Sequence, residues 1–227
     1  MESRLTFLLV VASLFGAPAV SGLPLVTIFS KAIRYFASGD AAAAAPAVHN
    51  GPPAFCNDLS CPRFQIIDKT LDYELRRYEA VQWVSTNTSE GYSYTVSTTR
   101  LFRKLFKYIK GANAEEKKIA MTVPVINLIN ETASPRQLEM SFYLPAEKPQ
   151  PSDPRVYLTN TPKMLVYVRE FGGFTFGYRR WEMEAKKLTA ALDSAGITYH
   201  STFFYTASYN SPFTLFGRHN EIWVIAK

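Results

Sequence analysis

Over the last ~165 residues the hydrophobic pattern switches between a period of two and a helical period, twice in the same order. Tyr73-Glu74-Leu75-Arg76-Arg77-Tyr78 alternates and carries a charged pair near its end; Val166-Tyr167-Val168-Arg169-Glu170-Phe171 does the same. A charged amphipathic helix follows each, over 98–110 and 179–193. A strand ending in a turn comes next, Lys118 to Pro124 in one copy and Phe203 to Tyr209 in the other. Closing strands run from Leu138 to Leu144 and from Glu221 to Ala226. The pattern predicts an α+β fold of two β-α-β-β repeats about a pseudo-twofold axis. Such a duplication shares one core and leaves a cleft near the axis, a natural place for a ligand. Only two copies occur, at a period of roughly 85 residues, so this is a duplicated domain and not a solenoid.

The two helices differ in what they leave outside. In the first, Leu101, Leu105, Tyr108 and Ile109 form one apolar face, with Phe102 and Phe106 on its flank. Arg100, Arg103, Lys104, Lys107 and Lys110 occupy the rest, and Gly111 is a natural stop. A core face opposite a solvated face explains most of this, but it does not require two further phenylalanines among lysines. An aromatic flank under a cationic rim suits a flat, apolar, anionic ligand. The second helix is more ordinary. Ala185, Leu188 and Leu192 face inward, and Glu182, Glu184, Lys186 and Lys187 read as solvated pairs.

Composition bounds the remainder. With 227 residues, 47% hydrophobic and 19% charged, the chain accommodates one domain and an N-terminal extension. Residues 1–22 resemble a secretory signal peptide: Arg4 precedes an apolar run from Leu5 to Val20, and Ala19, Ser21 and Gly22 offer a cleavage site. Residues 23–55 read as a linker, and the domain is expected over 56–227. Removing residues 1–22 leaves 24 basic against 18 acidic residues, still +6, so the folded part favours anionic partners. No nucleic-acid motif or basic run is present, and nucleic acid is not expected as a partner. Cys56 and Cys61 are the only cysteines; in an oxidising compartment they close a small loop worth roughly 2 kcal/mol. Asn87 and Asn130 head glycosylation sequons, each expected between elements. A secreted, extracellular glycoprotein follows, expected as a monomer. The Pro145–Pro154 segment, with four prolines, reads as the connection between copies.

Motifs for catalysis or metal binding do not emerge. His49, His200 and His219 form no spaced ligand pair, and there is no nucleophile elbow or phosphate loop. Neither an enzyme nor a metal site is expected.

Several separate segments, in order, resemble the SOUL/heme-binding protein family: Tyr73 to Tyr78, Trp83-Val84-Ser85-Thr86, Lys118 to Val125, Phe171-Gly172-Gly173-Phe174, Tyr205 to Pro212 and Asn220 to Ile225. The resemblance covers about Phe64 to Lys227. It implies a twisted antiparallel sheet, or distorted β-barrel, flanked by two helices. It implies non-covalent binding of heme or another tetrapyrrole, without catalysis. It places the ligand between the first helix, at Phe102, Phe106 and Lys107, and the loop before the last strand, at Leu215, Phe216 and Arg218. Rings can stack on a porphyrin face and cations can pair its propionates. One departure stands out. Where one branch of the family has a histidine proposed to ligate iron, this chain has Arg77, which is always cationic and no ordinary heme ligand. Heme is therefore expected without a protein axial ligand from that position. The leading expectation is a secreted tetrapyrrole carrier or scavenger. The alternative is an interaction module that contacts membranes or proteins through its basic helix.

Overall fold

A computed structural model describes residues 52–89, 93–146 and 148–227. The signal-like stretch 1–22 and the lead-in as far as residue 51 lie outside them. After a short 3-10 turn at Ala54–Cys56 come β1 (Phe64–Lys69), β2 (Glu74–Tyr78), β3 (Val81–Ser89), α1 (Tyr94–Ile109), β4 (Val125–Asn130), β5 (Gln137–Tyr143), β6 (Val156–Thr161), β7 (Met164–Phe171), α2 (Arg179–Ser194), β8 (Phe203–Ser208) and β9 (Asn220–Ile225).

The strands form one antiparallel sheet in the order β1-β2-β7-β9-β8-β4-β5-β3-β6. Reading outward from its middle gives β8-β9-β7-β2 on one side and β4-β5-β3-β6 on the other. These are the same four elements of two copies, so the pseudo-twofold axis passes between β4 and β8. The α+β class holds, with α1 packed on β3, β5 and β6 and α2 on β7 and β9.

The structure corrects two strand assignments. Each β-α-β-β unit is preceded by another strand, and these leading strands are exchanged: β2 pairs with β7 of the second copy, and β6 with β3 of the first. Hence Tyr73–Tyr78 and Val166–Phe171 are not equivalents but neighbours, with Arg76 opposite Val166. The counterpart of β7 is β3. Alternation reveals which side chains share a face; it does not reveal which strand lies alongside. The segment from Lys118 to Pro124 is not a strand of the sheet. Pro124 has no N–H to give to a ladder, and pairing begins at Val125.

Both faces of the sheet are buried. Beneath the helices, Leu101, Leu105, Leu188 and Leu192 meet Ile129, Phe142 and Val224. On the other face Tyr78, Trp83, Val166, Val168 and Trp223 are equally dry, Trp83 and Trp223 being 1% exposed. Among the described residues no helix covers that face, and the sheet curls over it, as half a barrel does. Residues 53–61 add a strap there. Cys56 joins Cys61 with Cα atoms 6.2 Å apart, and Val123 N–H donates to the Ser60 carbonyl at 3.0 Å.

Candidate functional site

The aromatic flank of α1 forms as the sequence indicates. Phe102 and Phe106, one turn apart, stack with centroids 5.7 Å apart and planes 18° from parallel. Phe102 is half-buried because its ring also leans on Phe142 of β5 at 5.3 Å. Phe106 projects further, at 39% exposed, and the cation over its ring is Lys110, with Nζ 5.2 Å from the centroid. Lys107 is on the opposite flank, where it and Lys104 border a cavity of about 240 Å³ with Tyr108, Ser152 and Asp153. The structure therefore does not bring Lys107 to the phenylalanine pair. Successive helical residues are 100° apart, and the four-residue step from Phe106 lands on Lys110.

The loop before β9 is built around Arg218. Its Nη1 donates to the Ser211 and Thr214 carbonyls at 2.9 and 2.8 Å, and its guanidinium lies 4.8 Å from the Phe174 centroid. The His219 amide donates to Asn210 Oδ1 at 2.7 Å, closing the loop at its base. Leu215 and Phe216, 67% and 87% exposed, stand on the outside of this frame. Asn220 Nδ2 donates to the Gly173 carbonyl at 2.9 Å and so ties the loop to the one preceding α2. That second loop supplies Phe174 and Phe176, stacked at 5.3 Å. The structure thus gathers Phe102 and Phe106 into one group, leaves Lys107 apart on the other flank, and gathers Leu215, Phe216 and Arg218 into another. It adds Lys110 to the first, and Phe174, Phe176 and Phe213 to the second. A sequence signal for the second addition exists: the segments 172–178 and 209–219 contain five phenylalanines or leucines and no acidic residue.

The position read as a departure from the iron-ligating pattern is exposed. Arg77 stands on β2, and four strands separate β2 from β5, the nearest strand beneath α1. Its neighbour Arg76 does something the sequence did not indicate. Arg76 is fully buried on the face away from the helices, where it bonds Glu74 at 2.8 Å, Glu221 at 2.8 Å and Glu170. Glu221 also accepts from Tyr209 Oη at 2.8 Å and Trp223 Nε1 at 2.6 Å, and meets His219 Nε2 at 2.7 Å. Burial alone would raise the Glu221 pKa, but Arg76 and His219 outweigh it and hold the carboxyl at about 2. Burial is the first cause that pushes Tyr209 and Tyr78 up. Glu170, His219 and Glu221 have the composition of a metal site, with ligand atoms within 4.8 Å. Arg76 already supplies the positive charge between the two carboxylates, so the group is an ion network rather than a vacant cage. Phe55 of the strap stacks flat on His219 at 4.1 Å and closes it over.

The sequons are also placed differently from expectation. Asn87 lies within β3, where it pairs with Glu139 of β5, and its Nδ2 donates to Tyr157 Oη at 2.9 Å. Asn130 ends β4, and its Oδ1 accepts from Thr132 N and Oγ1 at 3.1 and 2.8 Å. Polar composition favours a turn at 85–89; pairing with β5 along its whole length overrides it.

A family model described as SOUL heme-binding protein matches residues 59–225. Heme-binding protein 2 of Mus musculus is 36% identical over 162 residues, 68% of this chain and 78% of the relative; that of Homo sapiens is 35% identical over the same shares. Heme-binding protein 1 of Xenopus tropicalis is 29% identical over 160 residues, 67% of this chain and 83% of its own. Among solved structures, the EcmrR C-terminal domain aligns with a TM-score of 0.55 at 11% identity, over 70% of this chain and 99% of that one. At that identity the likeness is one of fold.

Proposed function

The chain belongs to the SOUL heme-binding protein family, and from that premise we propose that it is a secreted tetrapyrrole-binding protein, a carrier or scavenger without catalytic activity. The ligand is heme or a related flat tetrapyrrole, held non-covalently against the outer flank of α1 and the loop before β9. The observation that carries this reading is the stacked Phe102–Phe106 pair, left accessible on an otherwise cationic helix with Lys110 over Phe106. Flat rings offer stacking area, and the amine offers a partner for a propionate. Iron receives no axial ligand from position 77. The affinity does not depend on one: at roughly −0.3 kcal/mol per heavy atom, a ligand of about 40 heavy atoms reaches nanomolar binding.

Absorbance titration of the full chain with hemin tests the reading. The expected result is saturable binding that Phe106→Ala weakens roughly 10- to 100-fold through lost stacking area. An unchanged affinity in a folded Phe102→Ala/Phe106→Ala variant would place the site elsewhere. Export rests on the signal-like residues 1–22 and the Cys56–Cys61 pair. Mass spectrometry of secreted material should find a chain beginning near Leu23, the disulfide closed, and glycan at Asn87, Asn130 or both. An intact N-terminus with free thiols removes this part of the proposal. The monomeric state is checked by sedimentation.

A second reading uses the same helix differently. α1 carries Arg100, Arg103, Lys104 and Lys107 and no acidic residue, a face suited to an anionic partner without any tetrapyrrole. No hemin binding, together with capture of an acidic partner abolished by charge reversal on α1, would favour it.

A further inference from the structure

The most exposed aromatic side chains among the described residues are neither on α1 nor in a cavity. Phe176, Phe213 and Phe216 are 83%, 87% and 87% exposed, and Phe174 and Leu215 are 41% and 67% exposed. They come from two loops, residues 172–178 and 209–219, that the fold holds side by side through the Asn220–Gly173 hydrogen bond and the Arg218–Phe174 contact. Rings so exposed project outward.

We propose that this two-loop tip is a lipid-docking surface whose aromatic side chains enter the headgroup–acyl boundary of an anionic bilayer. Water-exposed aromatic side chains at one end of a rigid domain gain by moving to that boundary, where ring and backbone polarity are both accommodated. The charge of the tip selects the occupant. Neither loop contains Asp or Glu, while Arg218 and the exposed Arg179 flank the rings and the chain is +6. Arg218 bonds backbone carbonyls and spreads over Phe174 instead of pairing with a carboxylate, so its charge is not cancelled within its loop. The loops are braced at their bases, by Arg218 and by the His219–Asn210 bond, so presenting the rings requires no unfolding. No helix among the described residues is long and apolar enough to cross a membrane, which makes the contact through α1, α2 or these loops an interfacial one. This surface is distinct from the cationic face of α1, and the inference does not depend on tetrapyrrole binding.

The test places a reporter at the tip of the full chain. Trp83, Trp181 and Trp223, the chain's three tryptophans, are 1–3% exposed, so they respond little to solvent. Phe176→Trp adds one at the tip. With phosphatidylcholine–phosphatidylserine vesicles and no hemin, its emission should move to shorter wavelength and be strongly quenched when the acyl chains are brominated. In the wild-type background, Phe176→Ser/Phe213→Ser should lower the vesicle partition constant contributed by the tip roughly 10-fold or more. The proposal is overturned if the reporter spectrum is unaffected by vesicles, even when the chain sediments with them, since contact is then made elsewhere. It is equally overturned if the emission is already blue-shifted without vesicles in a concentration-dependent way, which would show a second copy covering the tip.

Discussion

A single helical step separates the cation that serves the aromatic flank of α1 from the one that does not. Lys107 follows Phe106 in the chain but faces the 240 Å³ cavity, whereas Lys110, one turn on, lies over the Phe106 ring. Lys110→Ala should therefore weaken hemin binding by roughly 3- to 5-fold, an effect that shrinks as salt rises. Lys107→Ala should change it less, and Arg77→Ala should leave the Soret band of the complex in place. A larger loss for Lys107 than for Lys110 would reverse the assignment. Arg218→Ala should do more than remove a charge, because it frees the Ser211 and Thr214 carbonyls. The candidate residues on α1 were legible from helical periodicity. Which lysine belongs with them required the helix to be seated on β5, since seating decides which flank opens to solvent.

At the scale of the element, both helices end as glycine dictates. Ala112 N–H reaches the Lys107 carbonyl and Gly111 N–H the Tyr108 carbonyl; Ile197 and Gly196 repeat the pair on Leu192 and Asp193. Each motif needs a left-handed residue, which Gly111 at φ 115° and Gly196 at φ 67° provide. At Gly196 an added Cβ meets nothing within 4 Å, so Gly196→Ala should cost only conformational strain, about 1 kcal/mol. At Gly111 the Cβ would lie 3.3 Å from the Glu116 carbonyl oxygen, and φ is further from what alanine tolerates. Urea unfolding should rank Gly111→Ala as the more damaging of the two; equal midpoints would contradict this. Both stops were visible in the sequence, because a glycine after the last apolar position is a local signal. The polar end of β3 was not, because pairing with β5, distant in the chain, makes it a strand.

For the molecule as a whole, the buried ion network on the sheet face away from α1 and α2 sets an acid limit. Glu221 ionises near pH 2 in the folded protein, below the ordinary glutamate value in the unfolded chain. Between those values the unfolded state binds more protons, so stability rises with pH there. The contribution, on the order of 3 kcal/mol, is fully present above about pH 5 and is lost as pH falls toward 2. Urea midpoints measured from pH 6 to pH 2 should fall steeply, and Glu221→Gln should flatten that fall while lowering stability at neutral pH, because Arg76 loses a buried partner. An unchanged slope in the variant would assign the acid sensitivity to other carboxylates, with Glu184, also held low against its burial by Arg169 and Lys187, the first to test.

The sequence by itself determined the duplicated α+β pattern, the two helices and their inner faces, the helix stops, the cysteine pair and the family resemblance. Each is written in short-range periodicity or in residue type. Tertiary structure alone decided the rest. It decided that β2 and β6 are exchanged between copies, because register and partner choice depend on hydrogen bonds between strands far apart in the chain. It decided that Arg76 is buried among carboxylates while Arg77 is exposed, because opposite faces of one strand meet different neighbours only after the sheet has curled. And it decided that two aromatic loops, 172–178 and 209–219, form one tip, because the pairing of β7 with β9 sets their bases side by side.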